Sequence, residues 1–483
     1  MGLVATFSLG FTYLSPLAGI VSLLPFALSS AGPPAIWWLF IVAAGQMLVA
    51  LVFGEIVSQY PITGGIYPWA RRLWGRKYSW MVAWIYLCAL VVVITSLVEF
   101  AVPFIGSLFG FTPTPGTGLV VAVALIGVAL VFNLSGTRTL SAVARLGFFA
   151  EIIGVIGFGL YLLIFERQNS FSVFFDAMGA PSSGTYLGGF VTASLIGLYL
   201  YYGFEACGDV AEEVLAPERK IPWAMVYTIV LGGVSATAAF VGYTLAAPDL
   251  QQIVDGEVAD PVTAIIENSI GPVGTKIFLI VALTAFLSCT LSLQAALSRL
   301  LFSFGRDKML PGHAYLAKLS TTEAVPRNAL IVASVAPAIV CLWVYIQPDS
   351  LVRVTSFAVL GIYLCFQMVV LAALRQRLLG WRPAGPWNLG RFGLIVNALA
   401  LAYGVMAMII LARPGDSTLG FLDRWIVLLG LALVLVTGLI YLVAKKPYRH
   451  SDAPEGDAKE VAAALLATRD ARPDPQPNDP VIR

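Results

Sequence analysis

Residues 197–214 read GLYLYYGFEACGDVAEEV. The stretch continues an apolar run that starts near Tyr186, yet it carries Glu205, Asp209, Glu212 and Glu213. Its surroundings decide what those acids mean. The 483-residue chain is 59% hydrophobic and 12% charged, about half the charged fraction of an ordinary soluble protein. Apolar blocks of about twenty residues recur along it, the length that spans a hydrocarbon core of about 30 Å as helix. The alternation of barrel strands is absent from the sequence, as are polar stretches long enough for a soluble domain. The fold class is therefore an all-α polytopic membrane protein, with the lipid bilayer as its surroundings.

Composition also narrows the partners. No nucleic-acid partner is expected, although the net charge of +2 by itself says nothing about partners. Cys88, Cys207, Cys289, Cys341 and Cys365 all fall inside apolar blocks without metal-ligand spacing, and read as buried free thiols. The two histidines, His313 and His450, lie in polar loops. No metal, cofactor, nucleotide-binding loop or nucleophile–base constellation is expected, and an enzyme is the least favoured class.

Twelve spans are predicted, at approximately 7–30, 35–60, 79–108, 117–136, 140–165, 186–215, 222–246, 275–304, 328–347, 351–375, 391–412 and 421–444. The first block follows the start methionine, exceeds a signal-peptide core and is expected to be retained. Lys and Arg collect after the even spans: Arg71, Arg72, Arg76 and Lys77; Arg306, Lys308, Lys318 and Arg327; Arg375, Arg377, Arg382 and Arg391. Opposite loops are neutral or acidic, so both termini are expected in the cytoplasm. The polar tail, 446–483, is expected to be disordered, with AKEVAAALLA (458–467) transiently helical, and its removal should not abolish the main activity.

Two spans are interrupted. The first holds YLSPLAG (13–19), with Pro16 and Gly19; the sixth holds YYGFEACG (201–208), with Gly203 and Gly208. Either alone reads as a kink. As a pair they occupy corresponding positions if spans 1–5 and 6–10 are repeats, inverted because five is odd, and matched interruptions point to a transporter binding site. Unwound backbone is tolerated in a membrane only where it lines a cavity or meets a ligand.

The acids then acquire readings. Glu205 and Asp209, four apart, share a face if helical there; repulsion between them favours protonating one. That face is expected to line an aqueous path, meet a cation or take up a proton. Glu212 and Glu213 oppose a helix dipole and would pair with Arg71 and Arg72 as an inner gate, or stay solvated. Glu55 would join the same network, and Glu99 would line an entrance or snorkel to the interface. Glu151, midway along span five, is a proton-relay candidate; Arg145, six residues away, is an awkward partner.

Further motifs resemble those of the amino acid–polyamine–organocation transporters. They are GEIVSQYP (54–61) with GGIYPWARRLWG (64–75), GFEACGDVAEEVLAPERKIPWAM (203–225) and QAALSRLLFSFGRDKMLP (294–311). The likeness covers roughly 7–445 and looks closest to bacterial amino acid permeases and the amino acid/choline branch. It implies a transporter domain over 1–445: a five-plus-five inverted repeat, approximately 7–165 and 186–375, with two extra helices over 391–444. It also implies a substrate site of Ser15, Leu17, Ala18, Gly19 and Ile20 in the first helix and Tyr199, Leu200, Tyr202 and Gly203 in the sixth. Cys289 and Leu293 would approach the substrate side chain, and Glu205 would be the gating or proton-sensing acid.

One departure matters. The family's small-residue run, commonly Gly-Ser-Gly, reads Ala18-Gly19-Ile20 here. Bulkier residues restrict close backbone approach, which leaves room for an amine without a carboxylate, such as choline, ethanolamine or a polyamine. Tyr199 and Tyr202 could hold an ammonium head by cation–π contact.

The expected activity is secondary transport of an amino acid or related small amine by alternating access, coupled to protons or to exchange. The expected location is the plasma (inner) membrane. The alternatives are a polyamine- or choline-type organocation transporter, a substrate sensor without translocation, and a channel. Substrate identity and oligomeric state are open.

Overall fold

The computed structural model describes residues 2–470, apart from 182–183, 259, 321–324, 348–349 and 416–419. All regular elements among the described residues are helical, and eleven stretches are long and apolar enough to cross a membrane. The first comprises α1 (Leu3–Leu14) and α2 (Pro16–Ala31). Then come α3 (Trp37–Gln59), the short α4 (Ile66–Leu73), α5 (Arg76–Phe109) and α6 (Pro115–Leu134). A further stretch joins α7 (Thr137–Glu151) through a π-helical turn, Ile152–Gly157, to α8 (Phe158–Phe165).

The block expected at 186–215 is not one long helix. It is α9 (Tyr186–Thr192), α10 (Leu195–Leu200) and the four-residue α11 (Ala206–Asp209), so it falls outside the eleven. Beyond it lie α12 (Pro217–Ala246), α13 (Leu250–Val254), α14 (Pro261–Arg306) and α15 (His313–Leu316). The remaining spans are α16 (Arg327–Ile346), α17 (Leu351–Leu378), α18 (Gly393–Leu411) and α19 (Phe421–Lys445). α14 begins before the expected 275, because a bend at Gly271 (φ 69°) before Pro272 joins two helical pieces. Pro272 lacks an N–H, and Gly271 takes the left-handed turn at little steric cost.

α12 packs along α3, while α14 and α17 flank α5. α1 lies among α7, α12 and α14. The most apolar window of α1–α2 is 83% buried, against 11% for α19. The first span is thus the centre of the bundle and α19 its rim. That inverts what hydropathy ranks: α19 has the highest mean hydropathy of the eleven, 2.9, and α1–α2 the lowest, 1.6.

The tail differs from expectation. Residues 446–470 are structured and carry α20 (Ala458–Asp470); 471–483 lie outside the described residues. Asp457 pairs with Arg72, and Glu455 accepts from the Arg76 backbone N–H at 2.6 Å. Gln59 donates to the Ala458 carbonyl at 3.0 Å, and the Gly456 N–H donates to the Arg71 carbonyl at 3.0 Å. Ala458 and Ala462 are buried. A segment too polar to build its own core is ordered here because an arginine-rich corner supplies its partners.

Candidate functional site

The first break is at Ser15. Pro16 cannot donate to the preceding turn and biases its predecessor away from helical torsion angles, and Ser15 takes left-handed values of φ 49° and ψ 74°. α1 ends there, with the Ser15 N–H on the Phe11 carbonyl at 2.9 Å, and α2 starts with Pro16 in its first turn. The new start leaves N–H groups without helical acceptors and concentrates positive potential.

One of those N–H groups has an acceptor from far along the chain. The Leu17 N–H donates to Glu151 at 2.8 Å, and the Ser15 hydroxyl donates to the other oxygen of the same carboxylate. Glu151 is fully buried at the end of α7, immediately before the π-helical turn. Single π turns recur at functional sites because they re-aim side chains and free a carbonyl. Here the Gly154 carbonyl accepts from the Tyr243 hydroxyl at 3.1 Å. Gly154 also lets this turn lie against Leu17, which a Cβ would strike.

The second break follows α10. Tyr201 closes that helix on the Gly197 carbonyl, and Gly203 then adopts φ +113°, a conformation side chains disfavour. The acceptor at this break is local. Glu205 folds back to accept from the Gly203 N–H at 2.7 Å and from the Tyr86 hydroxyl of α5 at 2.9 Å.

The two breaks touch. A Cβ on Gly203 would lie 2.6 Å from Tyr13 and 2.9 Å from the Leu14 nitrogen, and one on Gly19 would lie 2.8 Å from Leu200. Between them, Tyr13, Leu14, Ser15, Ala18, Gly19, Val93, Leu97, Tyr199, Tyr202, Cys289 and Leu293 enclose a cavity of about 10 Å³. That is room for about one water. Tyr199 and Tyr202 meet edge to face, with ring centroids 5.5 Å apart.

Of the residues expected at the substrate, Ser15, Ala18, Gly19, Tyr199, Tyr202, Cys289 and Leu293 come together on this cavity. Leu17 instead gives its backbone to Glu151, and Leu200 packs on Gly19. Gly203 backs onto Tyr13 and Leu14, and Ile20 is buried away from the lining. The expected face shared by Glu205 and Asp209 does not form. α11 begins after Glu205, whose carboxylate turns back to the break, whereas Asp209 lies against Gly65 at the start of α4.

The inner gate is also differently partnered. Arg71 pairs with Asp307 rather than Glu212 or Glu213; the side chains are 5% and 7% exposed, and the Tyr67 hydroxyl donates to Asp307 at 2.8 Å. Burial, and then the Asp307 charge, hold the Tyr67 phenol well above its ordinary value, so it stays a donor. Glu213 meets Arg299 at 3.3 Å, and Glu212 accepts from the Thr63 N–H at 3.3 Å. Glu55 pairs with Arg377 and accepts from the Leu389 N–H at 2.6 Å.

This geometry stands beside a sequence match. The amino acid permease family profile covers residues 1–450. The chain belongs to that family. It is similar to a permease of the fission yeast Schizosaccharomyces pombe, 26% identical over 466 residues, covering 90% of this chain and 83% of the relative. It is also similar to an amino-acid permease of Arabidopsis thaliana, 22% identical over 442 residues, covering 86% and 85%. A choline transporter of Saccharomyces cerevisiae is 22% identical over 440 residues, covering 84% and 74%. These relatives are fungal and plant proteins and lend the expected bacterial branch no support. The chain is thus an amino acid permease by family, with many helices long and apolar enough to cross a membrane.

Sequence reasoning missed Tyr13, Leu14, Val93 and Leu97. Tyr13 and Leu14 were visible as the residues just ahead of Ser15 and Pro16. Val93 and Leu97, four apart on α5, look like any other apolar pair in a span. No sequence signal tied Glu151 to the first break.

Proposed function

We propose that this permease holds its substrate between the two breaks and moves it by alternating access. The carrying observation is the direct contact of the breaks around a cavity that Tyr13 of one and Tyr199 and Tyr202 of the other help to line. A cavity of about 10 Å³ is too tight for a small amine, so the α1–α2 and α9–α11 segments would separate from α5 and α14 to admit one, on one side of the membrane at a time. The Arg71–Asp307 pair ties α4 to the end of α14 and is a natural inner gate. Glu205 is the proton-sensing or gating acid: a proton on it would weaken its hold on the Gly203 N–H and the Tyr86 hydroxyl. Proton coupling, or exchange, follows from that role.

Twelve spans arranged as five plus five plus two are consistent with the eleven long helices and the broken sixth. An even number, and the basic residues gathered on one face with the tail, support cytoplasmic termini in a plasma membrane. Saturable uptake with counterflow in proteoliposomes tests the reading. Ligand binding without flux under any gradient would make the chain a sensor, and unsaturable flux without counterflow would make it a channel.

A further inference from the structure

The first break places a buried carboxyl group from another helix where a membrane helix begins. α2 is sixteen residues long, and its start is a site that favours anions. Pro16 contributes no donor, the Leu17 N–H and the Ser15 hydroxyl are both committed to Glu151, and the Gly19 N–H turns back to the Ser15 carbonyl at 3.0 Å, which leaves the N–H of Ala18, a residue of the cavity wall, as the remaining donor of the first turn. Glu151 comes from another helix and is completely buried, so water cannot stand in for it. Ser15 is at once a wall of the cavity and the hydroxyl that holds Glu151. A substrate carboxylate reaching for this helix start would therefore find two of its donors already held by an internal carboxyl group.

The rest of the cavity points the same way. No Lys or Arg lines it among the described residues. Tyr13, Tyr199 and Tyr202 present aromatic rings and hydroxyls, and Glu205 closes the neighbouring break with a second carboxylate. α1 and α10 both end at the cavity, with the negative ends of their dipoles towards it. A pocket with three tyrosines and no Lys or Arg in its walls suits an organic cation.

We propose that Glu151 is a specificity-determining residue: an internal carboxyl group that takes two of the helix-start donors, the Leu17 N–H and the Ser15 hydroxyl, and selects small amine cations without a carboxylate over the corresponding amino acids. The inference rests on the cavity being the transport site, and the experiment separates the two claims. Full-length protein in proteoliposomes is presented with matched pairs differing only by the carboxylate: putrescine with ornithine, cadaverine with lysine, isopentylamine with leucine, and choline by itself.

The expected result is preference for the decarboxylated member of a pair. Glu151→Gln should narrow that ratio by about tenfold or more, the scale of one hydrogen bond to a charged group, and Glu151→Asp should preserve it. Should Glu151→Gln fail to fold, the wild-type ratios still decide the substrate class. Amino acids moving as well as their amines, or better, would overturn the proposal while leaving the transport reading intact. A preference for amines unaltered in Glu151→Gln would overturn the assignment to Glu151. Failure of every probe to bind or move would overturn the site reading and the inference with it.

Discussion

The two helix breaks solve one problem in two ways. Each exposes backbone N–H groups inside a bilayer, and each meets the need with a buried glutamate. At the sixth span the glutamate is two residues from the amide it accepts, Gly203 to Glu205, so the backbone bond is local, and the same carboxylate also accepts from Tyr86 of α5. At the first span it is 134 residues away, Leu17 to Glu151, and the bond fastens α7 to α2. A local acceptor moves with its helix. A remote one is a tie between helices, and any motion that separates α2 from α7 must break it. The sixth break thus carries its backbone acceptor with it, whereas the first is fastened to α7.

Several substitutions would break or sharpen that contrast. The largest effect is expected from Gly203→Ala, because φ +113° disfavours a side chain and the added Cβ would press on Tyr13 and the Leu14 nitrogen. Strain of this kind costs about 1–3 kcal/mol before the clash; thermal unfolding should fall markedly and uptake should be lost. Wild-type uptake and stability in this variant would mean that the breaks are not in close contact.

Next comes Glu151→Ala, which leaves a buried N–H without an acceptor at a cost of about 1–3 kcal/mol. Amide exchange should speed up at the start of α2 and in α7 together, since the tie joins both. In Glu205→Ala the change should stay within 201–209 and its contact with Tyr86. Equal spread in the two variants would erase the distinction between a local and a remote acceptor.

Glu205→Gln keeps a carbonyl oxygen for the Gly203 N–H but cannot gain or lose a proton. If protonation of Glu205 opens the site, wild-type uptake falls as pH rises from 5 to 8, because fewer molecules carry the proton. Tyr13, Tyr86, Cys207, Asp209 and Tyr363 are titratable groups that interact with this acid. The variant, which mimics the protonated form, should give a flat profile; a profile as steep as the wild type's removes Glu205 from the mechanism.

Ser15→Ala deletes one hydrogen bond to Glu151 and spares the Leu17 N–H, so about 1.5–3 kcal/mol is the upper range for its effect on stability. The smallest change is expected from truncation after residue 450. The Arg72–Asp457 and Arg76–Glu455 pairs are partly exposed, and such pairs contribute about 0.2–1 kcal/mol each. Uptake should persist with slightly lower stability; abolished uptake would make the docked tail part of the transport machinery.

Much of this arrangement was legible in local chemistry. Pro16 removes a donor and Gly203 admits a left-handed backbone, so both interruptions could be read from neighbours in the chain. The carboxylate at Glu205 marked its span as unlike a lipid-facing helix for the same reason. Where partners came from elsewhere, reading failed. Arg71 and Arg72 were matched to Glu212 and Glu213 by shared side, yet Asp307 and Asp457 reach them first. The tail looked too polar to order, and only the corner it docks on makes it a structured element.

By itself, the order of residues determined that this chain crosses a membrane repeatedly as helix, where two of those helices must unwind, and which acids sit at depths that demand a reason. These are properties of hydrophobic length, missing donors and torsional preference, all set within a few residues. Tertiary structure decided that the two unwound segments lie against one another, that Val93 and Leu97 of α5 complete their cavity, and that Glu151 answers the first of them. Those outcomes depend on which helix faces are neighbours, and the energies that choose neighbours are sums over packing across the whole bundle rather than features of any one segment.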